Sequence, residues 1–204
     1  MAAMIEHIIR KFNPNVCYDI GAHDGSFSQL LHRILPLATI HQFEGSPNKF
    51  QKVKWGTWHK VLLSDKDDIT KTFYHDGGTG DTYIVETPEF LKSKYQTTLI
   101  ATSRLDTYVK EKNIAYPDFI KIDIQGAELD VLTGCNDILN HCKFIHCEIP
   151  AKGITFNTGS PSHEEYLEFF KKAGFVYSKK IKDHLRNKKI LIQHDYFFSK
   201  EPLE

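Results

Sequence analysis

The sequence lacks any apolar run that approaches the about 18 residues needed to cross a membrane, so we expect no membrane-spanning helix. It also lacks an excess of charge, because 26 Lys and Arg balance 26 Asp and Glu. Proteins whose main role is to coat nucleic acid need a surplus of cations, so that class is disfavoured. The four cysteines form neither a CxxC pair nor a disulfide-framework spacing, which favours a reducing compartment, the cytoplasm.

The 204 residues contain no internal repeat and no linker rich in Pro, Gly or Ser that is long enough to divide them. A chain of this length can build one good core, so we predict a single domain over residues 1–204. Charged residues interrupt the apolar positions of residues 1–14. This pattern predicts a short N-terminal amphipathic helix rather than a signal peptide.

Strand and helix patterns alternate along most of the chain. The predicted strands are 16–20, 39–43, 61–63, 119–124 and 144–149, and the predicted helices are 26–35, one that starts at 46–47, 105–112, 127–132 and 162–172, followed by a closing hairpin of 175–177 with 190–192. Residues 69–103 break the rhythm and predict inserted strands and a loop that faces the substrate. The alternation predicts an α/β fold, with a mainly parallel sheet and helices on both faces. Such sheets bind ligands beyond the carboxyl ends of their strands.

A turn with two glycines follows the first predicted strand, in DIGAHDG at 19–25. Gly21 and Gly25 allow a tight turn and a close approach of the backbone to a ligand. The dinucleotide fingerprint GxGxxG is not met, because positions 23 and 26 are His and Ser, which disfavours an NAD-dependent oxidoreductase. Asp19 would repel a pyrophosphate but suits the ammonium group of an amino acid.

Polar side chains also end the second and third predicted strands. Glu44 stands where a carboxylate commonly holds ribose hydroxyls. Ser64 with Asp65 could hydrogen-bond an adenine amino group. Together with Asp19, three successive strand ends match the outline of S-adenosylmethionine. The alternative is that Asp19 and Asp24 are turn formers and that Glu44 is a solvated loop residue.

Charged residues interrupt the apolar segment FIKIDIQGAELDVL at 119–132. Strand alternation places Lys121 and Asp123 on one face, where burial is costly unless the charges are paired or functional. His146 and Glu148 share a face of the next strand, so Asp123 and Glu148 are expected to converge at the carboxyl ends. The alternative is an ion pair of Lys121 with Asp123 or Glu148 that merely joins neighbouring strands.

A divalent metal is possible but is not favoured, and no metal ligands are predicted. A hard cation such as Mg²⁺ takes carboxylate oxygens, but two carboxylates alone do not define a site. The segment HCKFIHC at 141–147 matches no zinc template, and strand alternation points His146 and Cys147 to opposite faces. The basic run at 179–189 is interpreted as a solvated hairpin tip.

The segments VCYDIGAHDGSFS, QFEGSP, LLSDKDD, TSRLDTYV and FIKIDIQGAELDVLTG, followed by HCEIP and HDYFFSK, resemble in this order the FkbM-type methyltransferases. The resemblance covers roughly Val16 to Ser199. It implies a Rossmann-like, class I S-adenosylmethionine-dependent methyltransferase, with a seven-stranded, mainly parallel sheet whose last strand is antiparallel. Members of this family typically methylate hydroxyl oxygens of sugars, polysaccharides or natural products, and S-adenosylhomocysteine is the second product.

The resemblance also implies roles for individual residues. They are a cofactor loop at Asp19, Gly21, Ala22, His23 and Gly25, a ribose contact at Glu44, an adenine contact at Ser64 and Asp65, a bracing signature at Thr102, Arg104 and Asp106, and a central motif at Asp123, Gln125, Gly126 and Glu128. The loop at 77–81 departs from the serine-rich pattern of the family and is expected to face the acceptor.

Methyl transfer to a hydroxyl requires a group that accepts the hydroxyl proton, and we expect this base among these residues. A sugar hydroxyl is a poor nucleophile at neutral pH, so removing its proton as the new bond forms should help. We predict Asp123 or Glu148 as the proton acceptor, tuned by Lys121 or His146, with His23 as second choice. An RNA ribose methyltransferase, which should carry a basic face, and a catalytically inactive binding module are the alternatives.

Overall fold

The computed structural model describes residues 2–49, 54–75, 80–88 and 95–203. Its elements, in chain order, are α1 (Ala2–Phe12), β1 (Val16–Ile20), α2 (Ser26–Ile34), β2 (Thr39–Glu44), β3 (Thr57–Lys60), β4 (Leu62–Leu63), β5 (Thr70–His75), β6 (Gln96–Ser103), α3 (Leu105–Glu111), β7 (Phe119–Ile122), α4 (Glu128–Thr133), α5 (Asn136–His141), β8 (Phe144–Pro150), α6 (His163–Lys172), β9 (Tyr177–Arg186) and β10 (Ile190–Ser199).

Seven strands form the main sheet, in the order β3-β2-β1-β7-β8-β10-β9. Neighbouring strands are parallel except at β10, which runs antiparallel to both β8 and β9. The predicted fold class, a mainly parallel sheet with an antiparallel last strand, is therefore confirmed. Strand order reverses at β1, which lies between β2 and β7, and sheets of this type bind ligands at such a switch.

Both faces of the sheet are covered by helices. Alternation sends Tyr18 and Ile120 into one core cluster, which helices α3 to α6 complete. The neighbouring residues Cys17 and Phe119 enter a second cluster with the apolar stripes of α1 and α2. Because the central strands are buried on both faces, they are apolar at nearly every position.

The inserted region contributes a second, small sheet. Strand β5 pairs antiparallel with β6, and β6 pairs in parallel with β4. The predicted loop at 77–81 is described only from Gly80 onward, and its residues 77–79 lie outside the described part of the chain.

Some local predictions were wrong. Residues 46–49 contain a turn rather than the start of the predicted helix, and positions 50–53 of that helix lie outside the described residues. Strand β3 was not predicted, because its TWHK sequence has only one fully buried position and no clear alternation. Helix α5 follows directly after α4, where the sequence predicted only a helix end near Gly134.

The closing hairpin is much longer than predicted. Strands β9 and β10 pair from Tyr177↔Ser199 to Arg186↔Ile190, so most of the basic run lies within an edge strand and only 187–189 form the tip. The many exposed positions of β9 fit a strand at the edge of the sheet.

Within the described residues, no helix combines the length and the apolar character that crossing a lipid bilayer requires.

Candidate functional site

A cavity of about 1030 Å³ opens at the carboxyl ends of the parallel strands. Gly21, Glu44, Asp123 and Glu148, which lie at or near the carboxyl ends of four adjacent strands, all border it. Cavities that bind small molecules usually measure about 300–1,000 Å³, so this one lies at the upper end of that range. It lies where the α/β topology predicts a binding site.

The turn after β1 depends on Gly21. Its φ of 75° lies in the left-handed region, and its amide donates to the carbonyl of Phe43 at 2.9 Å. A side chain at this position would collide with the carbonyl oxygen of Asp123, which follows β7. Only glycine therefore lets the turn pass so close to the central strand, and its exposed backbone forms part of the cavity wall.

The carboxylate of Glu44 joins two loops. Its Oε2 accepts from the His23 amide and its Oε1 from the Ser46 amide, both at 2.8 Å. Each carboxylate oxygen can accept a second hydrogen bond, so Glu44 can still receive ligand hydroxyls from the cavity that it borders. This placement fits the predicted ribose contact.

Asp19 lies elsewhere than predicted. Its carboxylate is fully buried, accepts from the Ser28 hydroxyl at 2.7 Å and lies 3.2 Å from the Lys121 ammonium. It is not among the described residues that border the cavity, so the predicted direct contact with a ligand ammonium is not available in this geometry. Lys121 therefore pairs with Asp19, and not with Asp123 or Glu148 as the alternative interpretation had it.

The Lys121 ammonium stays charged in this environment. It also donates to the carbonyl of Gly21 at 2.8 Å. Burial works to lower its pKa, but the nearby carboxylates of Asp19 and Asp123 outweigh burial, so the pKa of Lys121 is raised. The charge holds the turn at 21–25 against the central strand.

The two residues predicted to contact adenine, Ser64 and Asp65, also lie away from the cavity lining. Ser64 is fully buried and its hydroxyl donates to Asp65 at 3.1 Å. Among the described residues that border the cavity are Val61, Leu62 and Leu63 but neither Ser64 nor Asp65. An apolar wall of this kind suits the face of a planar base rather than its polar edge.

Asp123 and Glu148 converge, as the sequence predicts. The side-chain amide of Gln125 lies 2.8 Å from Asp123 Oδ1 and 3.4 Å from Glu148 Oε2. Gln193 donates to the same oxygen of Glu148 at 2.8 Å. Burial, followed by the charges of Asp123 and Glu128, raises the pKa of Glu148 well above its usual range.

His146 borders the cavity beside them. Its ring stacks on Phe27 and Phe197, with centroids 5.6 and 4.9 Å away. Burial lowers the pKa of His146, and the opposing charge of Asp195 does not outweigh it. The imidazole is therefore neutral at physiological pH.

The remaining motif residues brace the site from behind. The buried Glu128 accepts from the amides of Ile124 and Gly126 and from the Tyr166 hydroxyl, which lies 2.7 Å away. Its helix starts immediately after the positive-φ residues Gln125 (60°) and Gly126 (98°), so these bonds fix the turn that presents Asp123.

The predicted bracing signature, Thr102, Arg104 and Asp106, lies further from the cavity. The hydroxyl of Thr102 donates to the carbonyls of Lys66 and Ile69, at 2.7 and 3.0 Å. Arg104 forms a two-pronged contact with Asp106 and donates to the carbonyl of Gly134. These bonds join the small sheet to the end of α4.

The sequence predictions missed several residues that border the cavity, among them three from the C-terminal hairpin. His184, Gln193 and Asp195 all come from the long hairpin, and all border the cavity. The available signal was ILIQHDYFF at 190–198, where Gln193 and Asp195 are two apart in an otherwise apolar strand and so share a face.

Comparisons with known proteins show the family of the chain. A family-wide sequence profile, Methyltransferase FkbM domain, matches residues 19–177. The chain is 28% identical over 163 residues to the 2-O-methyltransferase NoeI of Sinorhizobium fredii, covering 71% of this chain and 66% of that protein. It is 26% identical over 156 residues to the 31-O-demethyl-FK506 methyltransferase FkbM of Streptomyces tacrolimicus, covering 60% of each.

Among solved structures, the fold is similar to that of a methyltransferase FkbM from Methylobacillus flagellatus. The TM-score is 0.56 at 14% identity, over 91% of this chain and 44% of that one. The chain spans less than two thirds of the length of both curated relatives. Because the family profile covers most of the chain, the protein belongs to the FkbM family of S-adenosylmethionine-dependent methyltransferases.

Proposed function

We propose that the protein is an O-methyltransferase that transfers a methyl group from S-adenosylmethionine to a hydroxyl of a sugar, a glycan or a related small molecule. The observation that carries this proposal is the convergence of Asp123 and Glu148 in the same cavity as Glu44 and the glycine turn. One curated relative is named a 2-O-methyltransferase, and the other a methyltransferase of 31-O-demethyl-FK506. Both names support oxygen as the methylated atom.

The cofactor half of the cavity is assigned to the turn after β1 and to the end of β2. The backbone of Gly21, Ala22 and His23 and the carboxylate of Glu44 border that half, and the small volume of Gly21 leaves the approach open. Bound S-adenosylmethionine supplies an electrophilic methyl group on a sulfonium centre. Asp19 acts here as a positioning residue, because its pairing with Lys121 fixes the turn.

We assign Asp123 as the group that accepts the proton of the substrate hydroxyl. During transfer, the acceptor oxygen bonds to the methyl carbon, the carbon–sulfur bond breaks with its electron pair left on sulfur, and the hydroxyl proton passes to a carboxylate. Asp123 is only half-buried and borders the cavity, whereas Glu148 is buried beneath Gln125, Gln193 and His184. General-base assistance contributes about 10²–10⁴-fold, and alignment contributes about 7–11 kcal/mol.

Calorimetric titration with S-adenosylmethionine tests the proposal, with NAD as the control. We expect binding of S-adenosylmethionine alone, followed by a mass gain of one methyl group on a member of a panel of sugars and glycans. Binding of NAD alone would overturn the cofactor assignment. Cofactor binding with no methylation of any hydroxyl acceptor would favour the inactive binding module instead.

A further inference from the structure

Three potential metal ligands meet on three adjacent strands at one end of the cavity. They are Glu148 from β8, His184 from β9 and Asp195 from β10, and one ligand atom of each lies within 4.8 Å of the others. His184 Nε2 lies 3.0 Å from Asp195 Oδ2 and 3.4 Å from Glu148 Oε1. All three residues border the cavity, so a bound ion would face the substrate.

Two of the three separations between these atoms match those of ligands around one ion. Transition-metal bonds to imidazole and carboxylate are about 2.0–2.2 Å long, so neighbouring ligands lie about 3.0–3.5 Å apart in octahedral or tetrahedral coordination. The two measured separations, 3.0 and 3.4 Å, fall within that range.

The pairing of strands β8 and β10 places two carboxylates where a cation would stabilise them. Asp195 and Glu148 are direct partners in the β10–β8 register, and their side chains are only 15% and 7% exposed. Carboxylates placed opposite each other on antiparallel strands repel, and burial strengthens the repulsion. A cation between them removes this penalty.

A second, independent observation comes from His146. Its side chain is only 10% exposed, yet neither ring nitrogen has a hydrogen-bond partner among the described residues. Nε2 lies 3.7 Å from Asp195 Oδ1, so the unpartnered nitrogen points toward the cluster. A buried imidazole without a hydrogen bond is costly, and imidazole nitrogens are common metal ligands.

We propose that Glu148, His184 and Asp195 bind a divalent first-row cation such as Mn²⁺ or Zn²⁺, with His146 as a neighbouring fourth donor. Mixed imidazole and carboxylate ligands suit such ions better than Mg²⁺ or Ca²⁺, which take mainly oxygen. Binding at this site does not depend on the proposed function.

The consequence for catalysis does rest on the proposed O-methyltransferase activity. A cation at this end can bind two neighbouring oxygens of a sugar diol and orient one of them toward the methyl group. Glu148 then serves as a ligand, and Asp123, which Gln125 links to it, accepts the proton.

Titration of the EDTA-treated full chain with Mn²⁺ alone, followed by the loss of the electron paramagnetic resonance signal of free Mn²⁺, tests the site. We expect saturable binding at a single site, displaced by Zn²⁺, and a more than about tenfold loss of affinity in Asp195→Asn and in His184→Gln. Asp183→Asn is the matched control, because Asp183 precedes His184 but contacts Lys180 and His194 instead. It should bind Mn²⁺ as the wild type does.

Two results would overturn the proposal. One is a folded wild-type protein, verified by circular dichroism, that binds neither ion at millimolar concentration. The other is binding that Asp195→Asn and His184→Gln leave unchanged. Because the titration contains no S-adenosylmethionine, its failure leaves the calorimetric test of the proposed function intact, and the reverse is also true.

Discussion

Asp19 and Lys121 are direct partners in the register of β1 and β7, and their charged atoms lie 3.2 Å apart in the interior. The pair joins the strand that carries the cofactor turn to the strand that presents Asp123. Removing one member leaves the other buried without its partner, which typically destabilises a protein by about 3–5 kcal/mol.

Lys121→Met is therefore expected to lower the free energy of unfolding by about 3–5 kcal/mol, measured by urea denaturation. Lys143→Met is the matched control. Lys143 pairs with Asp118 at 2.9 Å, but its side chain is 48% exposed, so its loss should cost less than about 1 kcal/mol. Equal losses in the two variants would show that burial of the Asp19 pair carries no special weight.

Gly21→Ala tests the close approach of the cofactor turn to β7. A methyl group there meets the backbone of Asp123, so the turn must move. Gly153→Ala is the control, since Gly153 has a similar φ of 73° and nothing within 4 Å of the added carbon. We expect Gly153→Ala to cost about 1–2 kcal/mol from strain alone.

Gly21→Ala should cost clearly more in urea denaturation, and it should weaken S-adenosylmethionine binding in the calorimeter. If both glycine variants lose the same stability and bind the cofactor equally, steric contact with Asp123 does not set the turn.

Asp123→Asn is expected to lower kcat by about 10²–10⁴-fold once an acceptor is known, with little change in cofactor affinity. Glu148→Gln should reduce turnover too, and it should also weaken Mn²⁺ binding, because Glu148 is a proposed ligand of the ion. Asp65→Asn serves as the control because Asp65 does not border the cavity. An Asp123→Asn variant with full turnover would exclude Asp123 as the proton acceptor.

Stability should fall in mild acid because of His59. Burial, with a smaller effect of His41, lowers the pKa of His59 from 6.5 to about 4. The ring is therefore protonated at a lower pH in the folded state than in the unfolded state. Stability contributed by the neutral ring is therefore complete above about pH 6.5 and is lost as the pH falls toward about 4. The full shift corresponds to about 3 kcal/mol, and screening by nearby solvent reduces the expected loss to about 1–2 kcal/mol.

His59→Gln should flatten this part of the pH profile of the unfolding free energy, while it keeps a hydrogen-bonding partner for His41, which lies 3.0 Å from His59. An unchanged slope between pH 6.5 and 4 in this variant would assign the acid sensitivity to other groups.

Sequence reasoning reached the site residues that are local to one motif. The positions of Gly21, Glu44 and Asp123 follow from strand ends and a glycine turn, which short segments encode. The burial of Asp19 could not be predicted in this way, because it depends on the register that places Lys121 opposite it. Register is a property of two distant segments and not of either one alone.

The hairpin residues were missed for a different reason. Strand β9 is rich in lysine and has many exposed positions, so hydrophobic periodicity does not distinguish it from a loop. Its partner β10 pairs with it over ten residues each, and this pairing brings His184 next to Asp195. Only the folded sheet shows that a basic, solvated segment ends at the cavity.

The two ends of the cavity come from separate parts of the chain. The turn at 21–25 and the end of β2 form one end, and a single C-terminal hairpin provides His184, Gln193 and Asp195 at the other. Since β9 is an edge strand, its outer side is unconstrained by any neighbour in the main sheet of the described residues. Exchanging or mutagenising this hairpin is therefore a practical route to altered acceptor choice, with the cofactor half retained as a constant scaffold.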